Sequence, residues 1–221
     1  MIKMKIVEKK AVDEGKSLFI EILVIVTAFF SIVANNLILG VDTLLAYIEA
    51  GLAILVAIIV ANTVLAIETQ NYTVLVNIRG LIIPITISSS FITRVAIMYP
   101  HILGHILFAV LIASIISYLA SQYIRGYGIG LPILIPILSS ISLAGITISV
   151  NNLHPLLSSP VAYFISTFSV LIGLDILKLL FITKQSRILF EIGGGGFFDM
   201  LFLTGPLSTS MSLAITMILL K

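Results

Sequence analysis

Apolar runs of eighteen residues or more recur from Ser17 to the end of the chain, separated only by brief polar connectors. A run of that length crosses the hydrocarbon core of a bilayer as a helix, because only a helix pairs all of its own backbone groups where no water is present. The runs are continuous and show no ten-residue polar/apolar alternation, which excludes a transmembrane β-barrel. Charged residues make up only 10% of the 221 residues, against about 25% in a typical soluble domain. The fold class is therefore an all-α, polytopic transmembrane helix bundle.

About seven spans are expected, over residues 18–39, 44–67, 74–93, 103–123, 131–150, 160–182 and 197–220. Ahead of them "MIKMKIVEKKAVDEGK" is polar, with five lysines and three acids, and no cleavable signal peptide is evident in it. The organisation expected is a polar cytoplasmic segment over 1–16 and a single transmembrane helical domain over 17–221. Lys3, Lys5, Lys9, Lys10 and Lys16 place the N-terminus in the cytoplasm, and the destination is the cell membrane, crossed several times. Seven crossings then leave Arg79, Arg125, Lys184 and Arg187 on or near the cytoplasmic side, and Asp42 and "NNLHPLLSSP" outside, with Arg94 the exception. The segment "TVLVNIRGLIIPITISSSFI" is the weakest span, since Arg79, Gly80 and Pro84 interrupt it. A broken or re-entrant helix is tolerated only where it is buried in protein or faces water, and the segment is kept as a span.

The lipid bilayer is the first partner of such a chain. A net charge of +2, distributed over helix ends, provides no basic stripe for nucleic acid. The absence of cysteine removes disulfides, iron–sulfur clusters and thiol catalysis. No phosphate-binding loop appears, and no cofactor is expected. His101 and His105 stand one helical turn apart, but a zinc protease needs a glutamate between them and a third ligand. No metal site is expected there. No Gly-x-Ser-x-Gly is present for a serine nucleophile.

What remains is a pair of acids. Asp175 lies seven residues before the expected end of the sixth span, and Asp199 follows four glycines, Gly193, Gly194, Gly195 and Gly196, at the start of the seventh. At 1.5 Å per residue both fall roughly 5 to 10 Å inside the same boundary, on consecutive antiparallel helices. An acid within a span costs about 2.5 to 3.5 kcal/mol on insertion scales, so it faces the bundle interior or water. Two carboxyls brought together share a proton and can serve as base and acid in turn. That is the chemistry of aspartic proteolysis on transmembrane peptides, with the glycines admitting an unwound substrate strand. The glycines also suit simple close helix packing. Lys178, three residues on, and Arg79 are the cations that would instead neutralise the acids structurally. A proton- or cation-coupled transporter or channel would use the same two aspartates. Glu49, one and a half turns into the second span, is a further candidate for an ion path, whereas Glu21 sits near a helix end. Asn35, Asn36, Asn62 and Asn77 are read as interhelical glue.

Four stretches resemble one family of prokaryotic membrane proteins, domain of unknown function 1614: "VLVNIRGLIIPI" (74–85), "RGYGIGLPILIPIL" (125–138), "SPVAYFISTFSVLIGLDILKL" (159–179) and "GGGGFFDMLFLTG" (193–205). The resemblance covers about residues 70 to 210 and includes both aspartates, while Arg79 stands where that family's pattern has glycine. A more distant likeness is to the presenilin and signal-peptide-peptidase enzymes, which also place one aspartate inside a helix and the next in a glycine-rich helix opening. Here Gly196-Phe197-Phe198-Asp199 differs from their Gly-x-Gly-Asp, and Leu174 replaces the tyrosine before the first aspartate. That likeness implies an intramembrane aspartyl protease with Asp175 and Asp199 as its dyad.

Overall fold

The computed structural model of the chain describes residues 3–8, 18–60, 63–68, 72–124, 128–178, 188–194 and 198–220. Seven helices are found among them: α1 (Leu18–Ile38), α2 (Thr43–Ile59), α3 (Ile83–Met98), α4 (Leu103–Ala120), α5 (Leu134–Val150), α6 (Ser158–Val170) and α7 (Met200–Leu219). A π-helical turn, Ile78–Ile82, leads into α3, and another, Leu171–Ile176, continues α6. With these extensions and the 3-10 turns before α4 and α6, five apolar segments are long enough to cross a membrane: Phe19–Ile38, Ile78–Met98, Pro100–Ala120, Pro155–Ile176 and Met200–Leu219. Helices α2 and α5 are apolar but shorter, at 17 residues each. The protein is a helical membrane protein.

Proline positions explain several helix starts. Pro84, Pro136 and Pro160 each fall within the first three residues of α3, α5 and α6, where a missing N–H costs no helical hydrogen bond. Asp42 caps α2 by accepting hydrogen bonds from the backbone N–H of Leu44 and Leu45 at 2.9 and 3.4 Å.

Helix α6 is the centre of the bundle. Twelve of its thirteen residues are buried, and it packs against α3, α4, α5 and α7. The outer helices keep large apolar side chains exposed, such as Leu44, Leu52 and Ile59 on α2 and Phe108 and Leu119 on α4, as a lipid-facing surface requires. Close approach to α6 is permitted by small residues: a Cβ on Gly205 of α7 would fall 2.6 Å from the Tyr163 ring, so that ring occupies the glycine's place. Hydroxyl and amide groups then pair across helices, with Asn35 bridging Ser159 at 2.7 Å and Thr209 at 2.9 Å, and Ser158 meeting Ser212 at 2.9 Å.

The spans differ from the sequence expectation at the end of the bundle that carries Asp175. The expected second span ran to 67, yet α2 stops at Ile59 and residues Thr63–Glu68 form strand β2. The expected third span began at 74, yet Tyr72–Asn77 is strand β3 and the helical run begins at Ile78. Its apparent break at Arg79, Gly80 and Pro84 is thus a strand-to-helix junction and a switch from π to α winding. Strand β1 (Lys3–Glu8) lies in the polar N-terminal segment, β4 (Gln122–Ile124) and β5 (Gly128–Gly130) form a separate hairpin, and β6 (Ile188–Ile192) precedes the glycines. The order β1-β2-β3-β6 makes one sheet, antiparallel except for the parallel pair β3–β6. Stretches rich in β-branched residues, such as Thr73-Val74-Leu75-Val76, suit this sheet as well as they suit an apolar helix.

Candidate functional site

Two parallel strands aim the chain at one place. In the β3–β6 register Leu75 pairs with Glu191 and Val76 with Ile192, so both strands end side by side. Each then leaves the sheet through a glycine turn into a helix. After β3, the Asn77 side chain accepts a hydrogen bond from Gly80 N–H at 3.1 Å and starts the π-helical turn. After β6, Gly193 adopts φ +73°, a conformation glycine tolerates without strain. The two turns touch backbone to backbone: a Cβ on Gly80 would land on the carbonyl oxygen of Gly193, and one on Gly193 would lie 2.8 Å from Gly80 C and Leu81 N.

Asp199 follows as the N-cap of α7, its carboxylate accepting the Leu201 N–H at 3.0 Å. It therefore precedes its helix, whereas the sequence placed it within the first turns of a span starting at 197. Asp175 lies in the π-helical turn that ends α6. Such turns insert one extra residue per turn and concentrate at functional sites. Asp175 comes within Coulombic range of Asp199. A small apolar cluster, including Val170, Leu174, Leu81, Ile192 and Leu201, packs the sheet onto the helix ends next to the two acids in sequence.

Of the cations weighed as structural partners, Lys178 turns away from the acids. Lys178 Nζ donates to the Ser121 carbonyl oxygen at 3.2 Å and sits 4.5 Å from the Tyr118 ring centroid, on α4. Arg79 reaches Glu21 of α1 at 4.0 Å. Arg94, the exception to the charge pattern, pairs with Glu49 at 2.8 Å and also donates to Asn36. The pair neutralises a cation and an acid together at the end of the bundle away from the sheet, so Glu49 is engaged in an ion pair. Among the described residues the Asp175 carboxyl has neither a hydrogen bond nor an ion pair.

Gly193 and Gly194 border the acids in sequence, but their missing side chains make room for protein. Gly80 covers Gly193, and the Glu191 carboxyl folds over Gly194, whose Cβ would meet Glu191 Cδ at 2.7 Å. Gly195 and Gly196 lie outside the described residues. Glu191 is a third acid near the glycine turn, on strand β6, and the sequence carries no strong signal for it, since "ILFEI" is apolar but for the one acid.

The model of the family described as protein of unknown function (DUF1614) matches residues 42–211, more than three quarters of the chain. The chain belongs to the DUF1614 family. The matched region contains α2 to α6, the sheet strands β2, β3 and β6, and most of α7, so both aspartates and the paired glycine turns are part of the DUF1614 domain. No curated protein and no solved structure matches it. The distant likeness to presenilin and signal-peptide-peptidase enzymes therefore gains no support from relatives, and DUF1614 membership carries no activity with it.

Proposed function

We propose that this DUF1614 protein is an intramembrane aspartyl protease-like enzyme whose dyad is Asp175 and Asp199. The observation that carries the proposal is that Asp175, in the π-helical turn ending α6, lies within Coulombic range of Asp199, the N-cap of α7, and has no hydrogen-bond or ion-pair partner among the described residues. Buried acids kept for stability are paired, and unpaired ones concentrate where chemistry is done. On this proposal the two carboxyls share one proton. The ionised member takes a proton from water as the water oxygen attacks the scissile carbonyl carbon. The protonated member gives its proton to the carbonyl oxygen. Collapse of the tetrahedral intermediate breaks the C–N bond, the leaving amine takes up a proton, and the pair again holds one.

Substrates on this proposal are transmembrane peptides that reach the acids unwound, because helical amides are already paired and shielded. Gly193 to Gly196 are the proposed entry, with Gly193 anchored on Gly80, and Gly195 and Gly196 assigned to substrate contact. The sheet end is assigned to the cytoplasm of a cell membrane. The test is cleavage of transmembrane peptides by the purified protein in liposomes, with Asp175→Asn and Asp199→Asn each abolishing cleavage while the protein remains folded. A second proposal, a proton- or cation-coupled transporter using the same acids, is favoured by the hydroxyl groups buried along α6 and α7. It requires ion flux across the same liposomes, altered by the same substitutions, with no cleavage.

A further inference from the structure

Buried hydroxyls line the seam where α6 and α7 run antiparallel, and nearly all have found partners. Ser208 meets Ser140 at 3.1 Å, Thr209 meets Asn35, and Ser212 meets Ser158. Thr167 of α6 and Thr204 of α7 differ: each is completely buried, and among the described residues neither Oγ1 has a hydrogen-bond partner. A helical threonine has an easy remedy, which is to donate to the carbonyl four residues back. Thr27, Thr86 and Thr93 do so, each at 2.8 Å. Thr167 and Thr204 do not. The contacts of Ser158 with Ser212 and of Tyr163 with Gly205 fix the antiparallel register. Continued toward the acids, it sets Thr167 opposite residues 201–203 and Thr204 opposite residues 164–166, so the two threonines lie within one helical turn of each other along the seam. At 1.5 Å per residue Thr204 is roughly 8 Å along α7 from Asp199 and Thr167 roughly 12 Å along α6 from Asp175.

We propose that Thr167 and Thr204 hold an internal water between α6 and α7, the one nearest the carboxyl pair. Two hydroxyls supply both a donor and acceptors, which is what a buried water needs. No charged side chain lies at this level of either helix, so a desolvated ion would find too few ligands there. On the hydrolytic proposal this water is the store from which the dyad draws its nucleophile, and that clause alone rests on the proposal. The hydration site does not.

The sign of a stability change tests it. Valine keeps the shape of threonine without the hydroxyl. At a dry site Thr167→Val and Thr204→Val remove an unpaired polar group and raise the melting temperature of the purified protein. At a hydrated site each strips a ligand from the water and lowers it by about 2 to 4 °C, while the double variant falls by less than the sum and Thr204→Ser stays near wild type. Unchanged or raised melting temperatures in both single valine variants overturn the site. The nucleophile store is tested separately, by a lowered kcat for peptide cleavage in valine variants that remain folded. An unchanged kcat overturns that role, and a wild type that cleaves nothing overturns the hydrolytic proposal while leaving the melting result to stand.

Discussion

Replacing Gly193 with alanine perturbs the point on which the site's geometry rests. The new methyl meets backbone, not a side chain able to swing aside: Gly80 C and Leu81 N at 2.8 Å and Asn77 O at 3.2 Å. It also forces an L residue into φ +73°. The left-handed conformation costs about 1 to 2 kcal/mol, and overpacking a close contact costs about 1 to 3 kcal/mol. Together the loss is about 2 to 5 kcal/mol, or a fall in melting temperature of about 5 to 20 °C for a chain of this size. Gly145→Ala on α5 is the control, because a Cβ there meets nothing within 4 Å. Alanine inside a helix gains about 0.5 to 1 kcal/mol over glycine, so the control melts at or above wild type. The assay is thermal unfolding of each purified variant in the same detergent, with Gly80→Ala as a second probe of the same contact. If Gly193→Ala and Gly80→Ala both melt within a degree of Gly145→Ala, the backbone contact between the two turns does not hold the loop, and the account of how Asp199 is positioned fails.

Asp199→Asn keeps a good N-cap and leaves the melting temperature nearly unchanged, whereas Asp199→Ala loses about 1 kcal/mol, both read by thermal unfolding. Asp175→Asn ends the competition of two neighbouring carboxyls for one charge and leaves stability equal or higher; a large loss instead would reveal a structural partner for Asp175. Arg94→Ala leaves Glu49 half-buried and without its cation and costs about 1 to 3 kcal/mol, and the double variant with Glu49→Ala costs less than the two singles added together. Gly205→Ala drives a methyl into the Tyr163 ring and costs about 1 to 3 kcal/mol, largely recovered when Tyr163→Leu is added, as paired melting curves will show.

The helix bundle was legible because lipid leaves the backbone few options, so each apolar run had to be a helix. The sheet was not. Residues 63–68 and 72–77 are apolar enough to read as extensions of the helices beside them, and a short apolar run does not distinguish strand from helix by periodicity. Partners decided the matter: these residues lie past the end of α2 and before α3, where β1 and β6 provide strands to pair with. The two aspartates stood out through the cost of burying an acid, whereas strand β6, which lies between their helices and pairs with β3, was not foreseen. The partner of Gly193 was hidden because Gly80 lies more than a hundred residues away in sequence. Arg94 looked like a violation of the charge rule for the same reason, since its acid, Glu49, comes from a different helix.

The parallel pairing of β3 with β6 has a consequence for assembly. Strands β1, β2 and β3 are neighbours in sequence order, so they can associate while the later helices are still being made. Strand β6 arrives last and must choose its alignment against an edge already in place. A slip of one residue would shift the glycine turn by about 3.3 Å and swing Ile192 out and Glu191 inward. The sheet thus acts as a ruler for the last quarter of the chain, and the distance between the two acids is measured out in whole residues, never adjusted by degrees.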